Sequence, residues 1–156
     1  FDYVYSSPLD RALETAKLVL DGKDVQITPD ERIIEISFGV HEGKSYHPDH
    51  FTITDKEFMH FFKAPEKYNV PDGGESFENV IARTGVFWND LVQNPLHQNK
   101  TILVSTHGCA LKAILANIRN TPVSEFWGEG VHKNCAVTIV RIQNNHYEIE
   151  EGKIYY

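Results

Sequence analysis

The sequence predicts an α/β domain built in layers. Short apolar runs of strand character at residues 1–5, 25–27 and 101–105 alternate with amphipathic helical patterns at 7–20, 76–92 and 109–118. Two of those strands run directly into hydroxyl-rich turns that open a helix, the junction at which α/β sheets gather ligands. The end of the chain reads instead as a β-hairpin, so the sheet is expected to be mixed. With 156 residues, 17.8 kDa and 41% hydrophobic content, the chain can bury one good core, and a single domain over residues 1–156 is expected.

Phe1-Asp-Tyr-Val-Tyr5 reads as a strand already under way, with no initiating methionine and no lead-in, so the beginning of the protein is expected to be missing. Ser7-Pro8-Leu9-Asp10 combines a capping serine, a proline at the first helical position and an acid three residues after the cap. The helix that follows puts Leu9, Ala12, Leu13, Ala16 and Leu20 on its core face and ends near Asp21-Gly22. Val25-Gln-Ile27 is a short strand. Glu31 to Gly43 has apolar residues without a period, and Glu35-Ile-Ser-Phe-Gly39 within it reads as an irregular loop of the kind that carries function.

Thr54 to Lys63 is predicted helical, with Phe58, Phe61 and Phe62 assigned to the core rather than to a lid. Pro65, Pro71 and Gly73-Gly74 then punctuate a loop before a helix from Ser76 to about Val92, which buries Phe77, Val80, Ile81, Thr84, Trp88, Leu91 and Val92. Thr101 to Ser105 is a buried strand, Cys109 to Ile118 a helix, and Pro122 starts a short helix over Val123 to Trp127. Strands over Cys135–Ile142 and His146–Glu150 are joined by Asn144-Asn145, a hairpin signal.

The formal net charge of -7 and pI near 5.6 come without a run of lysines or arginines, which argues against nucleic acid and anionic membrane surfaces as partners. Cys109 and Cys135 lack the spacing of a zinc knuckle or a redox pair and are expected to be buried free thiols in a reducing compartment. No run has the apolar length of a membrane span and no charged-then-apolar leader opens the chain, so a cytoplasmic protein is expected.

The most informative stretch is Leu103-Val-Ser-Thr-His-Gly-Cys109, where a strand stops and a helix begins at a histidine. Helix N-termini carry unsatisfied N–H donors and the positive end of the dipole, so His107 is expected to face an anion site. The other junction, Tyr5-Ser-Ser-Pro8, has Arg11 one turn into its helix. If the two strands are neighbours, Arg11, His107, several hydroxyls and two helix ends converge on one spot, a constellation that suits a phosphate. Singly, Arg11 reads equally as a solvated or salt-bridged residue and His107 as a cap or a satisfied core group. The pair is the stronger signal, because a net-acidic chain gives little other reason to place cation-capable groups at both turns.

Glu35 has two readings. Flanked by Ile33, Ile34, Ile36 and Phe38, it is either a partly desolvated acid fit to donate a proton, or an exposed acid between buried neighbours. Gly73-Gly74-Glu75-Ser76 is a loop ending in a helix cap. His41, His47, His50, His60, His97, His132 and His146 form no ligand spacing, so no metal site is expected.

Taken in order, residues 5–16 (YSSPLDRALETA), 35–43 (EISFGVHEG), 73–76 (GGES) and 104–108 (VSTHG) resemble the histidine phosphatase superfamily in its phosphoglycerate-mutase-like branch. The resemblance covers nearly the whole chain. It implies a three-layer sandwich with a mainly parallel sheet and helices on both faces, and it assigns Arg11 to phosphate binding, Glu35 to acid/base work, and His107 to phosphate binding and transition-state stabilisation. It also implies a nucleophilic histidine in an Arg-His-Gly motif on a first strand upstream. No Arg-His dipeptide occurs here, since Arg11, Arg32, Arg83, Arg119 and Arg141 are followed by Ala, Ile, Thr, Asn and Ile. A single imidazole cannot both attack phosphorus and hold its equatorial oxygens, so the chain as it stands is expected to be inactive.

The reaction implied for the complete protein is phosphomonoester hydrolysis through a phosphohistidine, on a small phosphorylated metabolite, with no metal or other cofactor. A homodimer is left open. The alternatives are a phosphoglycerate mutase, against which the compact segment between Glu35 and Glu75 speaks, and a non-catalytic phosphate-binding module that has lost its nucleophile.

Overall fold

Strand β1, Tyr3–Ser6, is the middle strand of a three-stranded parallel sheet in the computed structural model, which describes residues 1–45, 50, 52–53, 55–144 and 146–154. Its neighbours are β2, Ile27–Pro29, and β3, Ile102–Ser105, both parallel to it, in the order β2-β1-β3. The predicted second strand lies two residues later than Val25–Ile27. Its extent is set by pairing with the carboxyl end of β1, where Ser6 stands opposite Pro29. Pro29 is tolerated because β2 is an edge strand.

Helices lie on both faces, as the alternation of β1 side chains requires. Val4 turns toward helix α1, Asp10–Leu20, and packs with Ala16 and Leu20. Tyr5 turns the other way, edge-on to Phe87 of helix α3, Phe77–Gln93. Helix α4, Gly108–Arg119, follows β3 and packs on α3. The approach is close at Gly85, where a β-carbon would come within 2.6 Å of the Asn117 amide oxygen.

Ser76 caps α3 as predicted, its Oγ accepting from the Asn79 N–H at 3.2 Å. Of the residues assigned to the core face of α3, Phe77, Val80, Thr84, Trp88 and Leu91 are buried, whereas Ile81 and Val92 are only half-buried; Phe87, outside that assignment, is buried as well. Helix α1 starts at Asp10 with Leu9 as its cap, not at Ser7-Pro8, and no side chain caps it. Its C-terminus falls as predicted, with Asp21 in the left-handed region at φ 47°.

The helix expected over Thr54–Lys63 is a 3-10 turn, Lys56–Met59, running into a one-turn helix α2, His60–Lys63. Thr54 itself lies outside the described residues, as do His47 and Asn145. Phe58 and Phe61 are buried and form an aromatic cluster with Phe38, Tyr68 and Phe77, so these two are core, while Phe62 is half-buried. The Pro122 helix is a single 3-10 turn, Val123–Glu125.

The chain divides into two compact units, Phe1–Phe126, which holds everything above, and a second from Trp127 onward. The second unit is the predicted hairpin: β4, Val137–Gln143, antiparallel to β5, His146–Lys153, with a register shift between Val137 and Ile139. It forms its own two-stranded sheet, so the mixed sheet expected from the hairpin is not found among the described residues: the three-stranded sheet is wholly parallel. Cys135 departs from expectation, being exposed at φ 61°, a left-handed conformation that delays the strand to Val137. Cys109 is buried, as expected. No described helix is long and apolar enough to cross a membrane.

Candidate active site

Because β1 and β3 are parallel and in register, they end at the same level, Ser6 opposite Ser105. The Ser7 N–H continues the pairing to the Ser105 carbonyl at 2.8 Å. The turn after β1 and the turn after β3 are therefore adjacent, and the side chains they launch meet. The Arg11 Nε donates to His107 Nδ1 at 3.2 Å, and His107 Nε2 lies 2.7 Å from the Oγ of Ser7, a fully buried side chain.

A guanidinium can only donate, so Nδ1 is the acceptor nitrogen of a neutral imidazole. The ring proton then sits on Nε2 and is donated to Ser7. Burial lowers the His107 pKa to about 4, and the positive charges of Arg11 and Arg83 push in the same direction. Ser7, read from sequence as a helix cap, thus serves His107, and only a 3.4 Å contact from the Leu9 N–H to its Oγ remains of the capping role. The Nη groups of Arg11 make no hydrogen bond among the described residues, and the side chain is exposed. That leaves the terminal face of the guanidinium open to a ligand.

Glu35 is half-buried, and its carboxylate reaches the start of α4. It accepts from the N–H groups of Cys109 at 3.2 Å, Ala110 at 3.1 Å and its own neighbour Ile36 at 3.0 Å. The first N–H groups of a helix have no partner within it. The anion site expected at the helix end is therefore filled, at those two donors, by the protein's own carboxylate. Glu35 and His107 are brought together by the same helix terminus, one as its cap residue and the other as its counter-anion.

Behind these groups lie residues that sequence reasoning did not assign to the site. Arg83 on α3 grips both carboxylate oxygens of Glu75, at 2.7 and 2.8 Å, and donates to the Arg32 carbonyl at 2.8 Å. Thr106 Oγ1 donates to the Ile33 carbonyl at 2.8 Å. The Cys109 thiol is buried and its pKa is pushed well up, first by burial and then by the Glu35 charge, which keeps it protonated. No cluster of three or more metal-ligating side chains is present among the described residues.

Residues 1–154 match the sequence profile of the histidine phosphatase superfamily (branch 1). Among curated proteins, phosphoserine phosphatase 1 of Hydrogenobacter thermophilus is 27% identical over 142 residues, covering 91% of this chain and 65% of that protein. The adenosylcobalamin/alpha-ribazole phosphatase of Salmonella typhimurium is 31% identical over 137 residues, covering 86% and 65%. Among solved structures, Bacillus stearothermophilus YhfR superposes with a TM-score of 0.87 at 32% identity, over 99% of this chain and 75% of that one. The chain thus spans 65% of the length of each of the two curated relatives.

Proposed function

The chain belongs to the histidine phosphatase superfamily, and from that premise we propose that it is the greater part of a phosphomonoesterase acting on a small phosphorylated metabolite. The observation that carries this reading is the junction of Arg11, Ser7, His107 and Glu35 at the carboxyl ends of two adjacent parallel strands. A phosphate there meets the open Nη face of Arg11, the His107 ring and one carboxyl group.

The nucleophile is a histidine outside this sequence, in an upstream Arg-His-Gly motif. The absence of an Arg-His dipeptide and the greater length of the relatives support this. Its neutral imidazole nitrogen attacks phosphorus as the bond to the ester oxygen breaks, and the Glu35 carboxyl group, which enters this half of the reaction after taking up a proton from solvent, gives that proton to the leaving oxygen. In the second half, the Glu35 carboxylate takes a proton from water as the water oxygen bonds phosphorus and the phosphorus–nitrogen bond breaks. Arg11 holds the equatorial oxygens through its Nη groups, and His107 joins it by turning its Nε2–H from Ser7 to the phosphate while charge moves.

The test is hydrolysis of an aryl phosphate, with and without chelator, by this chain and by the gene product that carries the upstream motif. Silence of the first and chelator-resistant turnover by the second are expected. A motif-bearing protein that binds phosphate without turnover is instead a binding module, and one that moves phosphate between two hydroxyls faster than to water is a mutase.

A further inference from the structure

The segment that carries Glu35 is closed into a ring by one ion pair. At its start, the Arg32 carbonyl accepts from Arg83 Nη1 at 2.8 Å. At its end, the Ser37 carbonyl accepts from the Glu75 N–H at 2.9 Å. The two anchors are joined to each other, because the remaining guanidinium nitrogens of Arg83 hold both carboxylate oxygens of Glu75 at 2.7 and 2.8 Å. Both side chains of this pair are 19% exposed, so the pair is better shielded than a surface salt bridge. The ring has firm supports. The Arg32 side chain is tied to Asp30 at 2.7 Å and Asp90 at 2.5 Å, and Phe38 bridges Gly74 just past the other end.

Glu35 sits inside this ring, with its carboxylate on the N–H groups of Cys109 and Ala110. Glu35 lies just past a 3-10 turn, Glu31–Ile33, and within no regular element, so the closure acts together with the Thr106 bond to the Ile33 carbonyl and the burial of Ile33 and Ile36 in setting where the carboxylate sits. The guanidinium fork is specific to this geometry: it makes three bonds in one plane to two different partners, which a lysine cannot do.

We propose that Arg83 and Glu75 are a positioning pair that sets the Glu35 carboxylate against the start of α4, a role that rests on the reading of Glu35 as the proton donor. Arg83 is taken up by Glu75 and the Arg32 carbonyl, so the pair acts on the reaction by position and not by contact. Its effect on proton transfer passes through Glu35, whose displacement by about 1 Å is enough to lose much of a proton-transfer contribution. The Arg83 charge also acts on His107.

Amide hydrogen exchange on this chain tests the placement directly, because the Cys109 and Ala110 N–H groups have the Glu35 carboxylate in place of an intrahelical acceptor. Arg83→Gln is expected to speed exchange at those two amides by roughly ten-fold or more and to leave Leu115, deeper in the same helix, at its original rate. Arg83→Lys, which keeps the charge and one bond, is expected to restore part of the protection. If Arg83→Gln does not fold, Glu75→Gln carries the same expectation. Unchanged exchange at Cys109 and Ala110, or an equal rise along the whole of α4, overturns the proposal.

In the motif-bearing gene product, Arg83→Gln is expected to lower kcat on alkyl phosphates about ten- to a hundred-fold more than on aryl phosphates, with KM little changed. Glu35→Gln in the same assay separates the two ideas. If it leaves the alkyl-to-aryl ratio at the wild-type value, the proton-donor reading fails, while the exchange result still decides whether the pair places the carboxylate.

Discussion

His107 is held by two contacts that fix its chemistry. The Arg11 donor excludes a proton from Nδ1, and the Ser7 hydroxyl takes the one on Nε2. The ring is therefore expected to show the Nε2-protonated tautomer in 15N spectra and to stay neutral at pH 6, and a signal from protonated Nδ1 at that pH would contradict the geometry. Ser7→Ala leaves a half-buried ring N–H without its protein acceptor and is expected to cost about 1 kcal/mol of stability by denaturant titration. In the motif-bearing protein, His107→Ala is expected to lower turnover by about two to three powers of ten, the scale for removing a group that stabilises transition-state charge. Unchanged turnover would remove His107 from the site.

At the scale of elements, α3 is the scaffold on which both the core and the rear of the site depend. Its cap is a single side-chain bond, so Ser76→Ala is expected to destabilise the first unit by about 1 kcal/mol. Gly85→Ala is expected to cost more than this, because its β-carbon meets the Asn117 amide, which is pinned by bonds to the Ile81 and Ala113 carbonyls at 2.8 Å. A loss smaller than the Ser76→Ala loss would show that Asn117 can move aside. The α3 cap and the α4 helix were legible in sequence because their signals are local: a serine before a periodic run, a glycine after a strand. The start of α1 was misread for a physical reason. Ser7 carries the residue type of a cap, but its hydroxyl is claimed by a histidine a hundred residues away in sequence. Arg83 gave no local signal, and Glu75 stood out only as part of the Gly73–Ser76 turn, since what the two do depends on where α3 lies against the loop. Arg11, Glu35 and His107 stood out because three kinds of chemistry sat beside turns, and the parallel register of β1 and β3 supplies the proximity that sequence could only make conditional.

For the molecule as a whole, the neutral His107 links folding to pH. In the unfolded chain a histidine titrates near its ordinary value of 6.5, while in the fold its pKa is about 4. Between these two values the unfolded state binds the extra proton, so stability is full above pH 6.5, falls as the pH drops through that window, and levels off for this group below 4. A shift of this size corresponds to on the order of 2–3 kcal/mol once partial solvent screening is allowed for. Other groups titrate in the same range, so the contribution of His107 must be read as a difference. Urea unfolding followed by helical circular dichroism reports the first unit, which contains α1 to α4. Wild type and His107→Asn, compared at pH 7.5 and pH 4.5, are expected to differ in their loss of stability, with the wild type losing about 2 kcal/mol more. Parallel pH dependence in the two proteins would mean that His107 takes up its proton in the fold as readily as in the unfolded chain. The Arg11 contact would then be broken in solution, with the guanidinium and the imidazolium each turned outward toward whatever anion the site receives.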